Sequence, residues 1–281
     1  MKVVLLVAAG AAALTASRPE TPSDPRPATF QAGDDCCVPS AAPLAQPAVT
    51  RRGIHDETAG SIRGTIVWEG DKPEPNPPLV IGEKESAGCD HDGKKVDTTD
   101  QTLMIGPKGG VANVVLTLEA EGVEVTIPGE PIALDQMNCR FEPHVIVVPQ
   151  GATLRFENSD PVNHNIHTYS KKNQAINKNV SGGSNSDQKL DNDETFEVKC
   201  DIHPWMKGYV IVTDATHWAV SGSDGSFKIE GVPAGTYKLS WWHESLGKGK
   251  TEEVTVTAGK VSELTHKVGE ESKSSRGRRR R

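Results

Sequence analysis

The sequence has few aromatic residues, few methionines and no long hydrophobic run. Aromatic residues make up 5% of the 281-residue chain, and there are 4 methionines. No apolar run reaches the roughly 18 residues that a membrane-spanning helix needs, which excludes a multipass membrane protein. Basic residues are also in deficit, with 31 Lys and Arg against 38 Asp and Glu and a net charge of −7. Because nucleic-acid binders neutralise phosphates with basic side chains, this composition argues against a nucleic-acid partner.

The first 16 residues have the pattern of a secretory signal peptide. Lys2 precedes the apolar or small residues 3–14, and further small residues follow them. We expect cleavage after Ala16, with Ala13 as the alternative position and an uncleaved anchor as the alternative to cleavage. The mature protein is therefore expected to be exported, to the periplasm or outside the cell, where thiols tend to pair or to bind metals.

Residues 17–59 are predicted to form a disordered, proline-rich linker. They contain many prolines and small polar residues and almost no large apolar ones. Such a segment cannot bury enough surface to offset the loss of chain entropy on folding. Cys36 and Cys37 are adjacent here, and either an intermolecular bridge or a vicinal bridge would accommodate them.

From residue 60 onward, short β-branched runs alternate apolar with polar residues, and Gly, Pro, Asn or Asp separate the runs. No stretch keeps helical periodicity for the roughly ten residues that a helix prediction needs. The pattern predicts an all-β fold built from sandwiches. We divide this part of the chain into a β-strand region at 60–130, a domain at 131–214, a second sandwich at 215–268 and a basic tail at 269–281.

Two turn motifs mark the second sandwich. Asp224-Gly225-Ser226-Phe227 runs into a strand, and Gly231-Val232-Pro233-Ala234-Gly235 turns the chain into the next one. These motifs resemble the carboxypeptidase regulatory-like domain, a small prealbumin-like β-sandwich without catalytic function. The resemblance implies a structural or adhesive module. Residues 60–130 could supply its missing strands, in which case the middle of the chain is an insertion.

The most informative pattern combines nitrogen and sulfur side chains. Cys200, His203 and Met206 have the spacing C-x2-H-x2-M, and His164 lies far upstream. Two imidazoles, one thiolate and a weak axial thioether are the ligands of a mononuclear electron-transfer copper site. The mixture suits copper because Cu(I) favours soft sulfur whereas Cu(II) favours imidazole nitrogen. We expect the three C-terminal side chains on one loop between two strands, and His164 on a neighbouring strand.

These motifs resemble those of the cupredoxins, and within them the plastocyanin and amicyanin group. Amicyanin has a similarly short C-x2-H-P-aromatic-M loop and an H-N-V-H string like residues 164–167. The resemblance implies a Greek-key sandwich over residues 131–214 that binds one type-1 copper ion and carries electrons. It makes His164, Cys200, His203 and Met206 the copper ligands. The flanking segments and the polar loop at 181–193 depart from a free-standing small carrier, which leaves the redox partner open.

Three neighbouring residues are expected to support the site. Asn165 is placed to stabilise the thiolate and to tie the two ligand segments together, and Pro204 and Trp205 are placed to screen the metal from water. His167 is expected outside the ligand set. On a strand, alternation puts His164 and His167 on opposite faces, so both cannot bind one metal without a bulge.

Two alternatives compete with copper. In the first, Cys200 forms a disulfide, although Cys89 and Cys139 can pair with each other and leave Cys200 free in an oxidising compartment. In the second, a tetrahedral zinc ion leaves Met206 and His164 without a role and relies on the weaker half-motif C-x4-H. Its ligands would be Cys139, His144, Cys200 and His203. We favour the copper set and predict the Cys89–Cys139 disulfide.

The remaining patterns have ordinary interpretations. The aromatic pair Trp241 and Trp242, followed by His and Glu, could stack on a sugar, but such a pair at a strand end favours packing. Cys89 and His91 lie in a turn that we interpret as holding half of a disulfide rather than a metal. No G-x-S-x-G, H-E-x-x-H or P-loop string occurs, so no hydrolase is predicted.

The sequence therefore predicts an exported one-electron carrier and no enzyme. A copper oxidase or nitrite reductase needs a second copper centre, typically built from H-x-H strings, and the sequence has none. The expected partner is another redox protein, such as a c-type cytochrome or a dehydrogenase, that docks briefly at an apolar patch around Pro204 and Trp205. The alternative is a copper-binding, copper-delivery or structural module without electron-transfer turnover, which a Met-rich or His-rich tract would favour.

Overall fold

The structure is a computed structural model that describes residues 51–52, 58–91 and 93–269. In these residues the chain forms β-strands and no α-helix, which confirms the all-β prediction. No helix in this part of the chain has the length and apolar character needed to cross a membrane. The predicted signal peptide, most of the predicted linker with Cys36 and Cys37, and the tail after residue 269 lie outside the described residues.

The described strands form five sheets, and the segment that carries the nitrogen and sulfur motif contributes to one five-stranded and one four-stranded sheet. The strand bounds are β1 (Arg51–Arg52), β2 (Ala59–Glu69), β3 (Val115–Leu118), β4 (Glu124–Val125), β5 (Ile132–Met137), β6 (Arg140–Glu142), β7 (Val145–Pro149), β8 (Thr153–Asn158), β9 (His164–Thr168), β10 (Asn177–Val180), β11 (Asn185–Lys189), β12 (Glu194–Lys199), β13 (Lys207–Thr213), β14 (His217–Val220), β15 (Ser226–Pro233), β16 (Gly235–His243), β17 (Gly247–Lys248), β18 (Glu252–Val256) and β19 (Val261–Gly269).

The sandwich that carries the motif is built from sheets of order β10-β9-β12-β13-β7 and β11-β8-β5-β6. Alternation along the strands supplies its core, because every second side chain points to the same face. Leu154 and Phe156 of β8 and Phe196 and Val198 of β12 are buried in one apolar cluster. Cys200 belongs to the same cluster, so the end of β12 delivers the predicted thiolate to the core.

The polar stretch at 181–193 is predicted as a loop, and that prediction is wrong for residues 185–189. They form β11, an edge strand that pairs with β8. Ser186 and Gln188 of β11 are buried, and the Gln188 amide donates to the Gln174 carbonyl at 2.5 Å. Hydrogen-bonded polar side chains here take the inward positions, so the hydrophobicity pattern does not reveal the strand.

A second group of strands flanks this sandwich in the sequence. Its sheets have the orders β14-β3-β16-β17, with β18 also on β16, and β15-β2-β19. Their shared core includes Ile62, Leu116, Phe227 and Leu239. Strands on either side of residues 131–214 therefore pair in common sheets, as expected if residues 60–130 complete the second sandwich. The exact domain limits stay predictions.

A third apolar cluster joins a sheet of one group to a sheet of the other. Because it covers the outer face of β7, all five residues of that strand are buried, which is typical of a strand between two layers. Trp242 packs on Tyr209 with ring centroids 5.3 Å apart, and Trp241 is buried in the second core. The aromatic pair therefore packs, as predicted. The cluster comprises Val115, Val145, Val147, Ile211, Trp218 and Val220.

His217 in β14 is a buried imidazole whose two nitrogens both have partners. Nε2 donates to the Gly231 carbonyl at 2.9 Å, and Nδ1 lies 2.9 Å from the Thr216 hydroxyl, which donates to it. Burial lowers the pKa of His217 to about 4, and the positive charge of Arg51 acts in the same direction. The neutral form is therefore the one that the fold accommodates.

We predict that His217 makes the metal-free protein less stable in acid. The unfolded chain takes up a proton near pH 6.5 but folded His217 only near pH 4, so stability falls as the pH drops through this window and levels off below it. Between about pH 7.5 and about pH 4.5 this should cost about 2 kcal/mol, and His217→Gln should lack that part of the loss. Urea unfolding of both proteins at both pH values measures the difference, and equal losses would contradict the prediction.

Candidate metal centre

Strand pairing brings the two parts of the nitrogen and sulfur motif together. His164 begins β9, Cys200 follows the last residue of β12, and the two strands pair antiparallel. The loop from Cys200 to Met206 then leads into β13. In this loop the Cys200 amide donates to the Met206 carbonyl at 3.2 Å, and the Met206 amide donates to the His203 carbonyl at 2.9 Å. These bonds hold the segment with the C-x2-H-x2-M spacing in a closed turn.

Three of the predicted ligands converge. The Nδ1 atoms of His164 and His203 lie 2.9 Å apart, and the Cys200 sulfur lies 3.9 Å from the first and 3.8 Å from the second. The side chains are withdrawn from water, with 0% of His164, 2% of Cys200 and 6% of His203 exposed. Met206 is also buried and belongs to the same core cluster as Cys200. Two imidazole nitrogens and one thiol sulfur thus lie within 4 Å of one another in the core.

The environment of Cys200 favours its thiolate. Burial alone raises the pKa of the thiol, but its polar contacts with the imidazoles of His164 and His203 outweigh burial and leave the pKa lowered to about 6. The backbone amide of Asn165 also donates to the sulfur, at 3.2 Å. Because the thiolate is the form that binds metals, the site is prepared for a cation near neutral pH.

Asp160 orients His164, a role that was not predicted from the sequence. Its Oδ2 accepts from His164 Nε2 at 2.7 Å, which places the proton on Nε2 and directs Nδ1 toward the sulfur. Burial lowers the pKa of His164, but the bonds to Asp160 and Cys200 outweigh it and the net shift is upward. The position of Asp160 four residues before His164, in a turn ahead of β9, is the only sequence signal for this role.

The Asp160 carboxylate is itself buried and accepts four hydrogen bonds. Besides His164, its donors are His91 Nε2 at 2.7 Å and the amides of Asn138 at 2.6 Å and Cys139 at 2.8 Å. Burial raises the pKa of Asp160, but these bonds outweigh it and lower the pKa to about 2. The carboxylate therefore stays ionised and joins the turn after β5 to the start of β9.

Asn165 connects the two segments that carry the converging side chains. Its amide binds the Cys200 sulfur, and its side-chain carbonyl accepts from the Asp201 amide at 3.3 Å. Its side-chain amide donates to the side-chain carbonyl of Asn177 on β10 at 2.8 Å. Its backbone carbonyl accepts from the side-chain amide of buried Gln136 on β5 at 3.2 Å. Asn165 is thereby held from both sheets.

Trp205 and Pro204 lie on the loop side of the site. The Trp205 ring centroid is 5.1 Å from that of His203, and its indole N–H donates to the Cys139 carbonyl at 3.1 Å. Trp205 is half-buried, whereas Pro204 is exposed and lines a cavity of about 180 Å³ beside Met206. Of the two, Trp205 is the one that covers His203.

The residues of the zinc alternative do not assemble. Cys139 is joined to Cys89 in a disulfide, and Cys200 is the free thiol among the described residues. His144 is bonded through Nε2 to Glu244 at 2.5 Å. His167 lies apart as well: it binds Asp201 at 3.1 Å and stacks on a tyrosine at the surface.

Glu244 is a second residue whose place beside this region was not predicted from the sequence. Its side chain is 2% exposed and accepts from His144 and, at 3.0 Å, from the ammonium of Lys207, the residue that follows Met206. Lys207 also donates to the Thr102 hydroxyl at 2.6 Å. Glu244 belongs to the second group of strands, so that group is bonded directly to the base of the ligand loop.

The donor set fits copper. The site has two buried imidazoles and one buried thiolate, and a thioether lies in the same core cluster. These soft and borderline ligands are of the kind that copper binds in both of its oxidation states. A structural zinc site requires four strong ligands, and Cys139 and His144 are engaged elsewhere.

We predict that Asp160→Asn destabilises the metal-free protein by about 3 kcal/mol, because an amide leaves buried donors without an acceptor. The matched control is Asp187→Asn. Asp187 pairs with Arg155 at 2.7 Å in an exposed ion pair, whose loss costs less than about 1 kcal/mol. Denaturant unfolding of the metal-free variants measures both effects, and similar losses would refute the role given to Asp160.

Comparisons with known proteins bear on two segments. Residues 131–213 match the copper binding proteins of the plastocyanin/azurin family, and residues 204–264 match domain II of polysaccharide lyase family 4. The second match does not confirm the carboxypeptidase regulatory-like resemblance. No curated protein matches the chain.

Solved structures align with parts of the chain. A copper-containing nitrite reductase from Thermus scotoductus SA-01 is 21% identical over 34% of this chain and 25% of its own, with a TM-score of 0.29, so this chain spans about a quarter of its length. A purple cupredoxin from Nitrosopumilus maritimus is 26% identical over 26% of this chain and 82% of its own, with a TM-score of 0.24. A reduced amicyanin mutant is 20% identical over 35% of this chain and 98% of its own, with a TM-score of 0.29. The family match, together with the converging donors, supports a cupredoxin in residues 131–213.

Proposed function

We propose that this protein is an exported type-1 copper protein that carries single electrons between redox partners. The observation that carries the proposal is the convergence of two imidazole Nδ1 atoms and one thiol within 4 Å in a buried site. We assign the copper ligands as His164, Cys200, His203 and Met206. The proposal gives the chain no enzymatic step.

Bound copper would supply a one-electron couple between Cu(I) and Cu(II). The chain's own residues prepare the site for it. Asp160 fixes the ring of His164, the Asn165 amide stabilises the Cys200 thiolate, and the closed loop holds His203 and Met206 in register. Because these groups are held by hydrogen bonds that do not involve the metal, little rearrangement is needed when the charge at the site changes.

Burial contributes to the same function. The converging side chains are at least nine-tenths buried, so water has little access to the thiolate. Exclusion of water strengthens the electrostatic effect of each nearby hydrogen bond. The hydrogen bonds to the Cys200 sulfur are therefore expected to set the reduction potential.

The surface next to the loop supports a transient protein partner. Ile202 is 46% exposed, Pro204 is exposed and Trp205 is half-buried, which gives a small apolar area beside His203. Small contact areas suit weak and brief encounters of redox proteins. We propose a c-type cytochrome or a dehydrogenase as the partner class.

The second group of strands is proposed as a structural module that supports the copper domain. It covers one sheet of that domain through a shared apolar cluster, and it bonds Lys207 at the base of the ligand loop through Glu244. A structural role fits these contacts without any catalytic residue.

We predict that one Cu(II) ion per chain gives an intense visible thiolate-to-copper absorption. Cys200→Ser should abolish the colour, because it removes the charge-donating thiolate. Met206→Ala should keep the copper and shift the reduction potential, since a weak axial ligand tunes it. Met137→Ala is the matched control, because Met137 is 38% exposed on β5. A colourless copper complex, or full colour in Cys200→Ser, would overturn the ligand assignment.

Electron transfer has its own test, which separates a carrier from a copper-delivery module. One equivalent of a one-electron reductant should bleach the colour, and reoxidation should restore it over many cycles with copper still bound. Release of copper on reduction, measured with a Cu(I) chelator, would favour delivery instead.

A further inference from the structure

The Cys89–Cys139 disulfide lies directly against the proposed copper site. Both cysteines are fully buried. Their sulfur atoms and a ring nitrogen of His203 all lie within 4.8 Å of one another, and Cys139 forms a similar group with Asp160 and His164. The copper proposal uses neither sulfur.

We propose that this disulfide masks a second metal site, which forms when the bond is reduced. Its ligands are the thiolates of Cys89 and Cys139 and the imidazole of His203. Two thiolates and one imidazole form a soft donor set suited to thiophilic ions such as Cu(I) or Cd²⁺. His203 is common to the two sites, whereas Cys200 belongs to the copper site alone.

Hydrogen bonds that do not depend on the disulfide hold the Cys139 side of the new site. The Asn138 and Cys139 amides donate to Asp160, and the Trp205 indole donates to the Cys139 carbonyl. Both Asn138 and Cys139 have positive φ, of 50° and 53°, so these contacts fix an otherwise unfavourable turn. None of these hydrogen bonds involves a sulfur atom.

The segment that carries Cys89 is also anchored independently. Arg140, next to Cys139, donates through Nε to the Asp97 carbonyl at 2.7 Å and through Nη1 to the Gln101 side chain at 2.6 Å. Closer to Cys89, its own amide donates to the Ser86 carbonyl at 2.8 Å, and His91 binds Asp160. The two thiols are therefore expected to stay adjacent after reduction, which lowers the entropic cost of binding a metal.

The redox step balances with a water-soluble trialkylphosphine as the reductant. The phosphine gives two electrons to the disulfide and becomes the phosphine oxide, whose oxygen comes from water. The two protons of that water end on the sulfurs of Cys89 and Cys139. Metal binding then displaces the thiol protons, because thiolates are the ligands.

The test uses Cd²⁺ and the full chain in which Cys36, Cys37 and Cys200 are all serine, so that Cys89 and Cys139 are the remaining thiols. One sample is oxidised. The other is reduced with the phosphine in guanidinium and refolded under nitrogen with Cd²⁺ present. Cadmium per chain after gel filtration, the ultraviolet sulfur-to-cadmium absorption and the far-ultraviolet circular dichroism are measured for both.

We expect one Cd²⁺ per reduced chain with a two-thiolate absorption, and affinity for the oxidised chain lower on the order of 100-fold. The matched control adds Cys89→Ser to the reduced sample and should behave like the oxidised chain. The proposal fails if the reduced chain binds no more Cd²⁺ than the oxidised one, or if the Cys89→Ser control binds equally well. Because Cys200 is absent, the result is independent of the copper proposal, which the visible absorption of the unaltered chain tests.

Discussion

The buried carboxylate of Asp160 constrains more of the metal centre than any other single group. A charge without contact with water costs several kcal/mol unless donors surround it. Here the donors are two imidazoles, those of His91 and His164, and the amides of Asn138 and Cys139. Since these groups come from three separate parts of the chain, satisfying one charge fixes the start of β9, the turn between β5 and β6 and the segment around the disulfide relative to one another.

The Cys200 thiolate repeats this arrangement on the other side of His164. It accepts from the Asn165 amide, and both imidazoles face it. His164 thus lies between two anionic groups, bonded to Asp160 through Nε2 and directed toward the sulfur through Nδ1. A cation in the proposed site would replace a proton among groups that are already in position. The conformational free energy needed to arrange these groups is therefore supplied by folding, before the metal binds.

The sequence predicted Cys200, His203 and Met206 from their local spacing, whereas the distant His164 was assigned through the resemblance of residues 164–167 to a cupredoxin string. The short C-x2-H-x2-M string and the alternation of β12 and β13 carry the information, and so does the all-β class. Asp160 and Glu244 escaped prediction because their roles depend on which distant groups they meet: Glu244 binds His144, a hundred residues earlier. The edge strand β11 escaped because Ser186 and Gln188 occupy its inward positions, so no apolar period marks it.

The strand pairing explains how a metal-binding segment can interrupt another sandwich without disrupting it. The chain leaves β3 at Leu118 and returns at His217 in β14, and these two residues are direct partners in the antiparallel pair. The Ala120 amide also donates to the Thr216 hydroxyl at 2.8 Å, so the exit and the return are bonded just outside the strands. The cost of closing a long excursion grows only slowly with its length when its ends are held together. Pairing of β3 with β14 therefore fixes both ends of the segment. The buried contacts of Val115 and Trp218 with β7 and β13 fix the orientation of the segment against the sheet that contains β3 and β14.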